Sequence, residues 1–484
     1  ALWLLALVVA TVSAKPTLPA LQGQRFGANI HTVSPQPGEA QQWFSGFRLA
    51  RMDFHWSDIE REKGVYNFSA YEGLLSALNG ANSAATSDRS PAIQSYFILD
   101  YGNPLYDQGL PPHTSEGIEA FANFTVASML HFKGNEIIWE LWNEPNGGFW
   151  KPVANVTQYI ALALSVGKAK DDVPALAEEV LVGPATAGID WTYLTACFEG
   201  GLLDVFDAVS VHAYRATGPE SVIPDFARLR ALIANFTSSP VPIVSGEWGY
   251  STCTEPCQPA TFTGNVSEAD QARMLARQWL VNALIDVPRS VWYDAVDAPG
   301  NASMRESHFG TLRAPYNSPA QPHQPKPAFL AATTLQRVLS CASSLQRVDV
   351  TLPGNSSTDP NAYALVFTTN ASLIGTSEVV AVWKVDGHEV GKCEDVDIHS
   401  KVDCGYKGID EATCEARGCC FETPYISGPQ CFHHNQNTTA EVQFTSAGCY
   451  EIVNVVGGAV GKTCSSEGTV RLIASDSPVY LHRI

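Results

Sequence analysis

Charge is scarce in this 484-residue chain, where 16% of residues are Asp, Glu, Lys or Arg, against roughly 25% in an average soluble domain. The charge present leans one way, with 30 basic residues against 49 acidic ones and a net charge of −19. Basic clusters that would match phosphate backbones or anionic membrane surfaces are missing, so nucleic acid is not expected as a partner. Long apolar runs are missing beyond residue 14; no stretch approaches the roughly 20 residues needed to cross a bilayer, and no membrane anchor is expected. A glycine-rich phosphate loop is missing as well. Where one would follow the first strand-like segment the sequence reads Asn29-Ile30-His31-Thr32, which disfavours an open dinucleotide-binding sheet. No cofactor is expected.

Apolar residues, by contrast, make up 45% of the chain and aromatic residues 10%, enough to fill a sizeable core and to exclude global disorder. The length predicts one large domain with smaller ones attached. Residues 1–14 form a short apolar segment ending in small residues and read as a signal peptide cleaved near Ala14. Nine Asn-x-Ser/Thr sequons, at Asn67, Asn123, Asn155, Asn235, Asn265, Asn301, Asn355, Asn370 and Asn437, fit passage through a secretory pathway. A secreted or lumenal glycoprotein is expected.

Between residues 25 and 340, strand-like runs at 26–31, 47–56, 92–101, 137–143, 180–184, 208–214, 242–249 and 290–293 alternate with helix-like stretches at 116–132, 157–170, 219–234, 268–285 and 326–339. This repeat predicts an α/β fold, a closed (β/α)8 TIM barrel. The polar stretch 79–89 reads as a surface loop. Residues 341–390 and 440–484 carry short strand-like runs split by Gly, Asn and Ser turns and predict a C-terminal antiparallel β domain.

Several barrel strands end in polar or aromatic clusters, and in a barrel these ends converge on one face. The fourth run ends Trp142-Asn143-Glu144-Pro145, and the seventh ends Ser245-Gly246-Glu247-Trp248-Gly249. Two carboxyl groups brought together on rigid strand ends are what glycosidic bond cleavage needs, one protonated beside the leaving oxygen and one ionised beside the anomeric carbon. Glu144 and Glu247 are the candidate pair. Glu140 alternates with apolar Trp139 and Leu141 and is left out of the chemistry. The other strand ends add Arg51, Asp53 and Trp56, Tyr101 and Asn103, His212 and Tyr214, and Trp292 and Tyr293.

The paired motifs resemble those of the retaining glycoside hydrolases of clan A. The segment Gly102-Asn103-Pro104-Leu105-Tyr106 and the trailing β domain look most like family 39 or its cellulase-like relatives. The resemblance implies Glu144 as acid/base, Glu247 as nucleophile and Asn143 as the partner of the sugar 2-hydroxyl. It further implies that Arg51 and Tyr214 steady the nucleophile and that Trp292 forms an aromatic floor; Asp53, Trp56, Tyr101 and His212 are matched less closely, as substrate-binding residues. The substrate class it implies is an oligo- or polysaccharide with β-linkages.

Six of the twelve cysteines fall within Cys393, Cys404, Cys414, Cys419, Cys420 and Cys431. So dense a group in a secreted chain reads as a disulfide framework; the paired Cys-x-x-Cys spacings of zinc sites are not found in it. Six cysteines allow 15 pairings. The spacing, with Asp403-Cys404-Gly405 and Gly418-Cys419-Cys420-Phe421, closely resembles a P-type trefoil domain, placed at 391–435 and interrupting the β domain. That resemblance implies the pairs Cys393 with Cys420, Cys404 with Cys419 and Cys414 with Cys431, and a glycan or mucin-like ligand. A protein that only binds glycans through its trefoil is the alternative to an enzyme. Outside this segment, Cys253 with Cys257 and Cys449 with Cys464 suit local bridges, while Cys197 either pairs with Cys341 or is a buried thiol.

Overall fold

The computed structural model describes residues 26–83, 93–253, 266–299, 303–315, 317–339, 342–351, 358–385 and 440–484 apart from 447, 466 and 467, with 402–403, 414, 420–421 and 431–433 from the intervening segment. The expected signal peptide lies outside these residues.

Eight parallel strands close into a barrel: Phe26–Asn29, Leu49–His55, Gln94–Asp100, Ile138–Leu141, Val180–Ala187, Ala208–His212, Ile243–Trp248 and Ser290–Trp292, the last pairing with the first. These are the eight segments expected from sequence. Helices return the chain between strands, and several begin where a short polar residue accepts from an otherwise unpaired backbone N–H. Thr114 does so for Ser115–His131, Asn155 for Val156–Asp171 and Ser267 for Glu268–Leu284. The stretch 79–89, expected as a loop, is helical through Ser83 as the end of Ser69–Ser83; small residues there extend the helix.

Strand periodicity sorts the side chains. Leu49, Tyr96, Ile138, Val182, Ala208, Val244 and Val291 cluster inside the barrel. Their neighbours along each strand, such as Phe54, Phe97 and Trp139, pack outward against the helices. Two residues on from Leu49, Ile138 and Ala208, the inward positions become Arg51, Glu140 and Ser210, all fully buried.

After the barrel, six antiparallel strands run in the order Ala342–Val348, Ala362–Thr369, Glu378–Lys384, Val479–Arg483, Cys449–Val453 and Ala459–Cys464. A two-stranded sheet, Ala440–Thr445 with Thr469–Ala474, completes this β domain. Val380, Val382, Phe444, Val470 and Leu481 share its core. The Trp383 indole N–H donates to Glu220 of the barrel at 2.8 Å, and Glu220 also accepts from the buried Arg277, so the β domain is fastened to the loop that follows the sixth strand.

Cys414 and Cys431 are bridged, with Cα atoms 5.8 Å apart, as are Cys449 and Cys464. The other two expected pairs of the insertion involve Cys393, Cys404 and Cys419, outside the described residues. Cys253 is in a disulfide, and its expected partner Cys257 is outside them too. Cys197 is a buried free thiol, so the alternative of a bridge to Cys341 falls away. Among the described residues no helix is long and apolar enough to cross a membrane.

Candidate active site

The side chains at the mouth of the barrel are arranged around Arg51. Its Nε donates to Glu140 Oε2 at 2.8 Å, Nη1 to Glu247 Oε2 at 2.8 Å and Nη2 to Asn143 Oδ1 at 3.0 Å. Nη2 also lies 3.3 Å from His212 Nε2. A guanidinium has no lone pair to offer, so His212 Nε2 must be the acceptor and Nδ1 carries the hydrogen. That Nδ1–H donates to Glu144 Oε1 at 2.8 Å. One cation thereby orients both candidate carboxyl groups, one directly and one through an imidazole.

Glu247 accepts at both oxygens: from the Tyr214 hydroxyl at 2.7 Å on Oε1, and from Arg51 and the Asn29 amide, the latter at 3.2 Å, on Oε2. Burial, and then the Glu247 charge, push the Tyr214 hydroxyl well above its ordinary pKa, which keeps it a donor. Glu144 has one donor, His212, and its side chain is 18% exposed. Glu247 is thereby fixed by three donors, whereas Glu144 has a single one among the described residues.

Sequence reasoning left Glu140 aside, yet it is the inner support of this site. It is fully buried and accepts from Arg51, from the Tyr96 hydroxyl at 2.6 Å and from Ser210 at 2.6 Å. Burial opposes its ionisation, but Arg51 and these hydroxyls together hold its carboxyl below the usual range. Gly246 makes room for it: a Cβ there would lie 2.4 Å from Ser210 Oγ and 3.1 Å from Glu140 Oε1. The glycine of Ser245-Gly246-Glu247 is therefore a packing requirement of the charge beneath the site. Asn29, Tyr96 and Ser210 were likewise not anticipated.

The backbone is bent at the same place. Trp142, Glu144 and Ala185 adopt left-handed φ angles of 65°, 46° and 53°, each costing about 1–3 kcal/mol for a residue with a side chain. The fifth strand is bulged between Pro184 and Thr186, and the bulge turns the Ala185 carbonyl to accept from Glu144 N at 3.0 Å. Two irregular strand ends thus hold Glu144 in place.

Of the other residues expected at the site, Tyr101 borders it, accepting from Asn143 Nδ2 at 3.3 Å, and Asp53 stands near His31, which follows the first strand. Asp294 sits 2.8 Å from His31 Nε2 and, despite partial burial, pushes that imidazole up to about 9. Trp56 and Trp292 are corrections to the sequence reading. Both are fully buried: Trp56 bonds Glu60 and stacks on Tyr106, and Trp292 donates to the Phe309 carbonyl. Neither offers a face to a ligand; both belong to the packing beneath. Asn103 is also buried and braces its own loop.

Asp100, at the end of the third strand, is fully buried without a well-aligned hydrogen bond on either oxygen; His55 Nδ1 lies 3.3 Å from Oδ1. Burial, and then the neighbouring Asp53 charge, hold its carboxyl well above the usual range. The unfolded chain ionises it near pH 4, whereas the folded protein keeps it neutral, so its contribution is fully present below that pH and declines as pH rises toward the folded value. Asp100→Asn should therefore match the wild-type melting temperature near pH 4 and exceed it at pH 8. Thermal melts across that range with an unchanged difference would contradict the neutral carboxyl.

One oxygen each of Glu144 and Glu247 and one nitrogen of His212 lie within 4.8 Å of one another. As a metal site this set fits poorly, because both ring nitrogens and both Glu247 oxygens already have protein partners and a guanidinium adjoins them. As a pair of carboxyl groups, the spacing suits chemistry at a single atom held between them.

By fold the barrel and β domain are of the kind seen in glycoside hydrolases of clan A. A family 39 glycoside hydrolase from Bacteroides cellulosilyticus aligns with a TM-score of 0.65 at 17% identity, covering 97% of this chain and 82% of that one. A family 39 enzyme from Xanthomonas axonopodis pv. citri aligns with a TM-score of 0.57 at 14% identity, over 97% and 96%. A family 30 endoxylanase from Clostridium papyrosolvens follows at 0.56 and 10% identity, over 95% and 96%. At such identities the likeness is one of fold. Residues 393–434 match the Trefoil (P-type) domain model. Trefoil factor 3 of Canis lupus familiaris is 35% identical over 66 residues, which are 14% of this chain and 79% of that protein. Through this segment the chain belongs to the P-type trefoil family.

Proposed function

We infer that this protein is a secreted retaining glycoside hydrolase acting on a β-linked glycan, with Glu144 as acid/base and Glu247 as nucleophile. The observation that carries the reading is the approach of one oxygen of each carboxyl group to within 4.8 Å of the other. Retaining enzymes hold theirs about 5–5.5 Å apart, whereas inverting enzymes leave roughly 6.5–9.5 Å for a water.

In the first step Glu144 donates its proton to the glycosidic oxygen as the bond to the anomeric carbon breaks, and Glu247 forms an ester with that carbon. His212 already donates to Oε1, so the proton of Glu144 resides on Oε2. As the ester forms, negative charge leaves Glu247, and the Arg51 and Tyr214 hydrogen bonds weaken; both strengthen again when water, deprotonated by Glu144, releases the sugar. On this reading Asn143, fixed by Arg51 and Tyr101, is the partner of the sugar 2-hydroxyl.

Glu144→Gln tests the assignment through leaving groups. It should lower kcat/KM on an unactivated glycan by about 10²–10⁴-fold and spare 2,4-dinitrophenyl glycosides, whose departure needs little protonation. Equal losses on both substrates would remove Glu144 from the acid role. The trefoil, on this reading, binds glycan or a mucin-like chain.

A further inference from the structure

The loop beyond Glu144 is tightly held and yet leaves one aromatic ring open. Glu144 O accepts from Gly147 N at 2.9 Å and Gly147 O from Trp150 N at 3.3 Å, giving two successive turns. Asn146 ties the first turn to the fifth strand, donating to Ala187 O at 3.0 Å and accepting from Ala187 N at 2.8 Å. Trp150 anchors the second: it is fully buried, 5.0 Å from Trp142 between ring centroids, and its N–H donates to Gln158.

Between these anchors Phe149 points the other way. It is 45% exposed, with its ring stacked on Tyr101 at 5.7 Å and 13°. Tyr101 is itself fixed, edge-on to Trp142 at 5.5 Å and hydrogen-bonded to Asn143. A Cβ at the neighbouring Gly148 would meet nothing within 4 Å, so the loop is uncrowded at that position. Scattered exposed apolar side chains are ordinary on protein surfaces. Phe149 differs in being immobilised on both sides by turns and backed by a second ring that touches the site, with an open face at its rim.

We propose that Phe149, backed by Tyr101, is the platform on which the leaving-group ring of the substrate stacks. This rests on the reading of Glu144 as proton donor. A proton donor must sit beside the glycosidic oxygen, so whatever lies beyond that oxygen lies on the Glu144 side, where this loop forms the border. A pyranose presents a face of C–H groups, and an aryl group a flat face; either loses water-exposed apolar area against a phenyl ring. The substrate therefore carries a ring in the leaving-group position, as in an oligosaccharide or an aryl glycoside, in contrast to a small alkyl glycoside.

The test compares substrates with and without that ring. β-Xylosyl, β-glucosyl, β-galactosyl and β-mannosyl fluorides have only fluoride beyond the bond, whereas the matching β-1,4-linked disaccharides and 4-nitrophenyl glycosides carry a ring. For Phe149→Ala the ratio of kcat/KM on a ring-bearing substrate to that on its fluoride should fall roughly 10- to 100-fold, and Phe149→Tyr and Phe149→Trp should restore it. An unchanged ratio, whether both activities fall together or neither does, overturns the platform. Wild-type turnover of fluorides with none of the ring-bearing substrates overturns it alone. No wild-type turnover of any substrate overturns the glycosidase reading and the platform with it.

Discussion

Glu247→Ala should lower kcat on every glycoside substrate by on the order of 10⁴-fold or more while the protein stays folded. Removing this carboxyl leaves Arg51 with Glu140 as its remaining carboxylate partner, so the guanidinium is not stranded. The vacated volume lies beneath the anomeric carbon, open to a small anion. Azide should restore turnover of an activated aryl β-glycoside, because it attacks the carbon on the face Glu247 occupied as the aryloxide departs. The product should be the α-glycosyl azide. A β-azide, identified by the proton coupling at the anomeric position, would instead mark Glu247 as the acid/base and reverse the two roles. Glu144→Ala under the same conditions should give the β-azide, since there the anion attacks the ester from the opposite face.

Arg51→Met should be the most damaging single change to the fold. Arg51 is fully buried, and its loss leaves Glu140 as an uncompensated buried charge. Breaking such a pair costs about 3–5 kcal/mol, a drop in melting temperature on the order of 10 °C. Pairing the change with Glu140→Met removes the stranded charge, and much of the lost stability should return even though Tyr96 and Ser210 lose their acceptor. Activity should not return, because Glu247 and Asn143 still lack the cation that orients them. Melting curves of the single and double variants decide the point: if the double variant melts no higher than the single one, Glu140 is not the reason Arg51 matters to stability.

The barrel was legible because its strands are short apolar runs that stop abruptly at polar residues and alternate with helix-like stretches. The convergence of Glu144 and Glu247 was legible through the motifs around them. Glu140 was not. A single Glu between Trp139 and Leu141 can face either side of a strand, and only the register that turns Ile138 into the barrel settles which side. Its partner came from the second strand, 89 positions earlier in sequence, and no local pattern links the two. Trp56 and Trp292 were misjudged for a related reason. A tryptophan at a strand end reads alike whether its ring lines the mouth or lies below it. Trp56 already belongs to the short helix Trp56–Ile59 that turns it inward, while Trp292 is buried with its indole N–H on the Phe309 carbonyl.

The left-handed residues at the fourth and fifth strand ends have a consequence for how this chain can change. Glu144 occupies a backbone conformation that glycine tolerates without penalty, and Trp142 and Ala185 share that burden. At these positions a substitution that relaxes the backbone and one that preserves the carboxyl are different substitutions. Improvement of the fold and retention of the carboxyl therefore compete at position 144. A screen for thermal tolerance alone would drift toward variants that lack the carboxyl there, even though the hydrogen bonds of Asn146, Ala187 and the Ala185 carbonyl hold the loop in place.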